Sequence, residues 1–393
     1  MKKVLIVFIF FIFIFDVNAF ELSSKNAVLY NMNDNAVVYD LNKDEKTSIA
    51  SLTKIMTTIV AIENITNYDE KITINSNMFD GLKEANAAVV GLKNNQIVTY
   101  NDLLYAMFLS SGADATRAIA ISITGSEESF VELMNKKAKE IGMLNTHFEN
   151  TVGLDDINHY STVNDVALML KYALKNLKFK EIFLSESYTF SDKSLTIYST
   201  VRKTALKYKY DISYIEGAKT GYTDDAGKCL ASLAYDKENN IEYLLITTKA
   251  DITIKDAYHI KDAVSIYSYY FNNYKYYNLV NKGDLLQSIN IKYGKNDSLN
   301  IYALDDVKYY HDNTFNDENI TIKYSGINEL KTNIKKGTKL GKIEIFYEDE
   351  LVDKIDVYLN EQLQFSILKF VKINYLYIVI GIIFIFIIKF IKR

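Results

Sequence analysis

The chain of 393 residues carries 45 lysines and arginines against 49 aspartates and glutamates, a formal net charge of −4. With 49% hydrophobic and 24% charged residues it has the make-up of a packed protein, long enough for two domains plus targeting segments. No basic excess is available for a nucleic-acid surface, and the single cysteine, Cys229, excludes an internal disulfide and a thiolate-built structural zinc site.

Met1-Lys2-Lys3 is a short positive segment, followed by an apolar run from Val4 to Phe15 and the small-residue site Val17-Asn18-Ala19. This reads as a secretory signal over residues 1–19, cleaved after Ala19. Ala27-Val28-Leu29-Tyr30 and Val37-Val38-Tyr39 flank a turn-rich Asn31–Asn35 and predict a β-hairpin. Ile49 to Ile62 has few polar interruptions and predicts a helix buried on most sides. Thr99 with Asp102 writes a capping box ahead of Leu103–Leu109. Gly125-Ser126 opens an amphipathic helix through Ile141, closed by Gly142, and Thr162 with Asp165 starts another over Val166–Leu170.

Tyr214 to Leu233 and Glu242 to Thr248 read as strands, with Cys229 a buried core residue within the first, and Asp256 to Tyr270 as a last helix. Strands at both ends of this region with helices between them predict a sheet with helices packed on it. From about Tyr277 short alternating segments such as Ile343–Tyr347 and Lys354–Tyr358 replace the helical patterns and predict a small all-β module. The apolar run Ile373 to Ile388, followed by Lys389, Lys392 and Arg393, predicts a membrane anchor over residues 371–391 with its charges on the cytoplasmic side. The body of the protein is thus expected outside the cytoplasm, tethered by its tail.

Ser51-Leu52-Thr53-Lys54 places a hydroxyl and an amine at i and i+3, on one face of a helix. A serine is a weak nucleophile until a neighbouring base takes its proton, and a lysine serves if its pKa is lowered. Downstream, Ser111 in Ser110-Ser111-Gly112-Ala113 is a candidate proton carrier between that lysine and a leaving group. Lys219-Thr220-Gly221 lies on a predicted strand, where an exposed lysine and threonine would bind a substrate carboxylate and Gly221 would allow close backbone approach. A backbone N–H of that strand, with that of Ser51, would form an oxyanion hole.

This trio is similar to the Ser-x-x-Lys, Ser-x-Asn and Lys-Thr-Gly set of penicillin-interacting serine enzymes. Ala50–Thr57, Asn145–Asn150, Gly153-Leu154-Asp155-Asp156, His159-Tyr160-Ser161-Thr162 and Lys219–Thr223 further resemble the low-molecular-mass penicillin-binding proteins, the serine-type D-alanyl-D-alanine carboxypeptidases of the peptidase S11 kind. The resemblance implies an α+β catalytic domain over residues 20–274, of β-lactamase/transpeptidase type, with an antiparallel sheet, flanking helices and a helical subdomain. A small all-β domain over 275–364 and the membrane helix would follow it.

The family resemblance further implies attack by Ser51 on the terminal D-Ala–D-Ala amide of a peptidoglycan stem peptide, with Lys54 as base. Lys219, Thr220 and Gly221 would bind substrate, and β-lactams would acylate the same serine. No cofactor and no metal is expected; His147 and His159 lack metal-ligand spacing, and Asp155-Asp156 reads as a loop tie. Two departures stand out: Ala113 occupies the place of the family asparagine, and Tyr258–Asp262 has no arginine, leaving His259 or Lys261 as substitutes. The alternatives are a catalytically weak peptidoglycan-binding scaffold, a D,D-endopeptidase and a serine β-lactamase, the last of which lacks a recognisable carboxylate for deacylation.

Overall fold

The computed structural model describes residues 21–253 and 255–392, so the expected signal segment lies outside the described residues. The chain divides between Asn272 and Asn273 into two compact units.

The first unit starts with β1 (Asn26–Asn31) and β2 (Ala36–Leu41), joined by a turn in which Asn35 takes φ 55°. All six β1 residues are buried, because β1 is an inner strand, whereas β2 lies at the sheet edge with mostly exposed or half-exposed residues. A 3-10 turn, Ala50–Leu52, leads directly into α1 (Thr53–Asn64), buried throughout Thr53–Ile62. The apolar run therefore makes a central helix rather than a surface one. β3 (Lys71–Thr73) pairs with β4 (Ile97–Thr99), and α2 (Tyr100–Leu109) follows. The Thr99 hydroxyl accepts from Asp102 N at 3.1 Å, and the Asp102 carboxylate accepts from Thr99 N at 2.9 Å, the reciprocal cap that the sequence spells out.

α3 (Ala113–Thr124), α4 (Glu127–Ile141), α5 (Val163–Ala173) and α6 (Leu177–Leu184) come next, then the small hairpin β5 (Ser187–Thr189) and β6 (Thr196–Tyr198), and α7 (Thr200–Tyr208). α4 and α5 begin at Ser126 and Thr162 as expected, and Gly142 closes α4 with φ 91°. α3, α6 and α7 have no counterpart among the sequence-based elements: α3 opens at Gly112 with no side-chain cap, α6 has 8 residues, and α7 buries only Val201 and Ala205. β7 (Ile215–Thr223), β8 (Gly227–Asp236), β9 (Ile241–Ala250) and α8 (Tyr258–Asn273) complete the unit. The sheet order is β2-β1-β9-β8-β7, antiparallel throughout, so the N-terminal hairpin closes onto the last strand and β7 is the other edge. Cys229 is fully buried in the core between helices and sheet.

The second unit contains β10 (Tyr274–Val280), β11 (Leu285–Lys292), β12 (Ser298–Tyr302), β13 (Val307–Asp312), β14 (Ile320–Gly326), β15 (Glu329–Lys331), β16 (Lys339–Tyr347) and β17 (Glu350–Tyr358). β10 pairs with β13, β11 lies between β12 and β15, and β14-β16-β17 form a three-stranded meander. Ile289, Ile291, Leu330, Ile343, Ile345 and Val357 meet in its core. α9 (Ile367–Ile391) has no buried residue and a mean hydropathy of 2.4 over its most apolar window. Among the described residues it is the one helix long and apolar enough to cross a membrane.

Candidate active site

Three elements of the first unit converge on Ser51. The serine sits in the 3-10 turn rather than in α1, and Ala50 before it takes φ 46°, a left-handed conformation that turns the chain sharply into the helix. Lys54, one turn on, points back: its Nζ donates to Ser51 Oγ at 3.0 Å and to Val152 O at 2.6 Å. Lys54 is 2% exposed. Burial pushes its amine down to about 7, a shift that Asp114 and Glu127 oppose by favouring the charged form. A buried amine poised near neutrality and hydrogen-bonded to a hydroxyl can take that hydroxyl's proton.

Ser111 follows α2 with φ 58°, on the sharp turn between α2 and α3. Its Oγ accepts from Lys219 Nζ at 3.0 Å. The geometry therefore ties Ser111 to the strand lysine, where the sequence suggested a link to Lys54. Lys219 also departs from expectation: it is 1% exposed, with Phe108 5.9 Å away, rather than lying open on the sheet. Burial holds its amine well below the ordinary lysine value, and the nearby Lys54 pushes the same way. Thr220 Oγ1 is 2.7 Å from Thr200 Oγ1 at the start of α7. Gly221 explains its own identity: a Cβ there would sit 3.1 Å from Ser51 N and 3.2 Å from Ile49 O, so strand β7 and the serine turn touch through glycine.

The segments between the motifs build the wall that holds Lys54. Asn150 Oδ1 accepts from the N–H groups of Gly153 (2.7 Å) and Leu154 (3.0 Å), folding a tight turn that presents Val152 O to the lysine. Glu127 fixes the same turn by accepting from Thr151 N and Oγ1 at 3.0 and 2.7 Å, and Thr57 Oγ1 donates to Thr151 O at 2.7 Å. Asp155 accepts from Thr223 Oγ1 at 2.6 Å, so it ties this loop to the end of β7, as a loop tie should. Gly153 has φ 86°, and a Cβ on it would overlap the Ala50 carbonyl. Gly153→Ala combines backbone strain with that overlap and is expected to lose more than about 2 kcal/mol of stability. Thermal unfolding of the variant measures the loss.

His159 is 2% exposed, with both ring nitrogens engaged by protein groups. Its Nδ1 accepts from Glu149 N at 3.2 Å, which places the proton on Nε2, 2.8 Å from Thr53 Oγ1. Burial lowers its pKa from 6.5 to about 4. The unfolded chain binds this proton near 6.5 and the folded one only near 4, so its contribution to stability is complete above pH 6.5 and lost as pH falls toward 4. The loss is about 3 kcal/mol for this ring. Stability measured at pH 4.5 and 7 in wild type and His159→Gln is expected to show the weaker pH dependence in the variant. His147 is half-buried beside Glu149, 3.1 Å away. Among the described residues no group of three His, Cys, Asp or Glu is placed to hold a metal.

Ala113 is 2% exposed and packs with Leu82 and Val152, so an apolar wall stands at the position noted for its missing amide. The next residue, Asp114, carried no signal in the sequence. Its carboxylate gathers the N–H groups of Val90 (2.9 Å), Gly91 (2.9 Å) and Leu92 (3.0 Å), pinning that loop beside Ala113. His259 is buried, and burial lowers its pKa to about 4, so it is a neutral ring rather than a cation for a carboxylate.

The model of the D-alanyl-D-alanine carboxypeptidase family, peptidase S11, matches residues 14–251, and that of the penicillin-binding protein 5 C-terminal domain matches residues 274–364. D-alanyl-D-alanine carboxypeptidase DacF of Bacillus subtilis is 28% identical over 357 residues, covering 87% of this chain and 86% of the relative. Penicillin-binding protein 5 of Haemophilus influenzae shares the fold, with TM-score 0.62, 24% identity and coverage of 88% of this chain and 99% of that one. The D-alanyl-D-alanine carboxypeptidase DacD of Francisella tularensis shares it with TM-score 0.65 and 23% identity, over 93% of this chain and 98% of that one.

Proposed function

The chain belongs to the D-alanyl-D-alanine carboxypeptidase family, and from that membership we propose that it removes the terminal D-alanine of peptidoglycan stem peptides through an acyl-enzyme on Ser51. The observation that carries this reading is the 3.0 Å bond between Ser51 Oγ and the buried, readily deprotonated Lys54 Nζ.

Ser51 Oγ attacks the carbonyl carbon of the last peptide bond while its proton passes to Lys54. The C–N bond breaks and the departing D-alanine amine takes up the proton that Lys54 received, with Ser111, joined to Lys219, as the relay in this reading. Water then attacks the ester, releasing the shortened peptide and restoring Ser51. Lys219 and Thr220 receive the terminal carboxylate, whose charge supplies the counter-ion that burial denies Lys219 in the free enzyme. As an edge strand, β7 can pair with an extended stem peptide and bring its end to Ser51. A β-lactam enters by the same route: Ser51 opens the ring amide and stays acylated.

The C-terminal α9 is a membrane anchor in this reading, with the catalytic unit on the extracytoplasmic side, where the stem peptides lie. The scaffold alternative rests on Ala113 and the missing arginine, and the intact Ser51–Lys54 pair favours the enzyme reading over it. D-Alanine release from a synthetic pentapeptide ending in D-Ala-D-Ala is the direct test. Equal release by wild type and Ser51→Ala would overturn the proposal.

A further inference from the structure

α9 does not leave the all-β unit on a free linker. Ser366 N donates to Tyr293 O at 2.7 Å, and Lys369 Nζ reaches both Asp297 Oδ1 (2.6 Å) and Lys295 O (2.9 Å). Phe370 meets the Tyr293 ring at 5.0 Å, steeply inclined, and Tyr293 Oη lies 3.4 Å from Asn374 Oδ1. More than two turns of helix thus grip one loop, residues 293–297, between β11 and β12.

The helix has 25 residues. At 1.5 Å per residue that is about 37 Å, against about 30 Å of hydrocarbon in a bilayer. The surplus lies at its start. Ile367 and Leu368 are 71% and 84% exposed, and Phe365 just before them is 47% exposed. In water these side chains would form a bare apolar collar; at the level of the lipid headgroups they are covered. The loop bound to those same turns must follow them to that depth.

Its chemistry fits such a place. Tyr293 is an aromatic residue with a polar tip, the type enriched at membrane interfaces, and Lys295 and Asn296 are exposed. Beside them opens a cleft of about 180 Å³ whose lining is mainly polar, with Lys295, Asn296, Glu361, Gln362 and Gln364 outnumbering the apolar Ile291 and Leu363, which suits headgroups rather than acyl chains. Resting on the reading of α9 as a membrane anchor, we propose that residues 293–297 form a lipid-contact loop in the headgroup layer. Lys295 meets a lipid phosphate there, so the β unit is planted on the bilayer rather than suspended above it.

The test uses the full chain reconstituted in phosphatidylcholine–phosphatidylglycerol vesicles, with a fluorescent maleimide on Asn296→Cys or on Ile380→Cys. Cys229 is buried and its thiol pushed up to about 12, so it stays unlabelled, which the parent chain checks. Nitroxide lipids carry the quencher either at the headgroup or deep in the acyl chain. The proposal expects the Asn296 probe to lose emission to the headgroup nitroxide and the Ile380 probe to the deep one. Lys295→Cys serves as a second reporter on the same loop. A loop probe quenched only by aqueous iodide, with the Ile380 probe quenched from within the bilayer, overturns the lipid-contact loop alone. An Ile380 probe untouched by either lipid quencher overturns the anchor reading and the loop proposal with it.

Discussion

Ser51→Ala is expected to abolish penicillin labelling and to reduce D-alanine release from a pentapeptide by on the order of 10⁶-fold, the scale on which a catalytic serine is lost. The substitution removes one oxygen from a half-exposed turn and one hydrogen bond from Lys54, which keeps its bond to Val152 O. The folding cost is therefore no more than about 1.5 kcal/mol. A variant that melts like wild type yet neither binds penicillin covalently nor releases D-alanine would isolate the chemistry from the fold. Stoichiometric labelling of Ser51→Ala, read by mass spectrometry, would move the nucleophile elsewhere.

The second large effect concerns Lys54. Its amine gives up its proton at about 7 in the folded protein, so only the fraction deprotonated can act as base. Below that pH the second-order rate of acylation is expected to rise about tenfold per pH unit, and to level off above it. Lys54→Arg keeps a cation of similar reach but cannot lose its proton at any working pH. Acylation should fall by roughly 10² to 10⁴-fold and the rise near pH 7 should vanish with it. Stopped-flow acylation by a chromogenic β-lactam between pH 5 and 9 reads both. An unaltered rise near pH 7 in the arginine variant would assign the base to another group.

How much of this was legible beforehand depended on how local the signal was. The caps at Thr99, Ser126 and Thr162 and the Ser51–Lys54 spacing each lie within four residues, and each reads directly. The closure of β1 onto β9, where Asn26 pairs with Thr248, had no such signal: the order of strands and helices predicts a sheet with helices packed on it but not which strands pair. Three features had no side-chain signature at all. The left-handed turns at Ala50 and Ser111 occupy residues without any preference for that conformation. The second acceptor for Lys54 is a backbone carbonyl, Val152 O, placed there by Asn150. Asp114 acts on N–H groups more than twenty residues upstream, a relation that no local pattern announces. Lys219, which a lone strand pattern leaves open, is 1% exposed because the serine turn and Phe108 lie against its strand, a packing that no local pattern announces.

Two buried amines without a carboxylate hydrogen-bonded to either have a thermodynamic consequence beyond the reaction. Keeping Lys54 at about 7 instead of 10.5 costs the folded state on the order of 4 kcal/mol at neutral pH. Lys219, buried and held well below its ordinary value, adds to that cost. A ligand that brought a carboxylate beside Lys219, as the proposed substrate would, is expected to offset that cost. Ligand occupancy and resistance to unfolding are then expected to be coupled, and a bound stem peptide should raise the unfolding temperature of the catalytic unit.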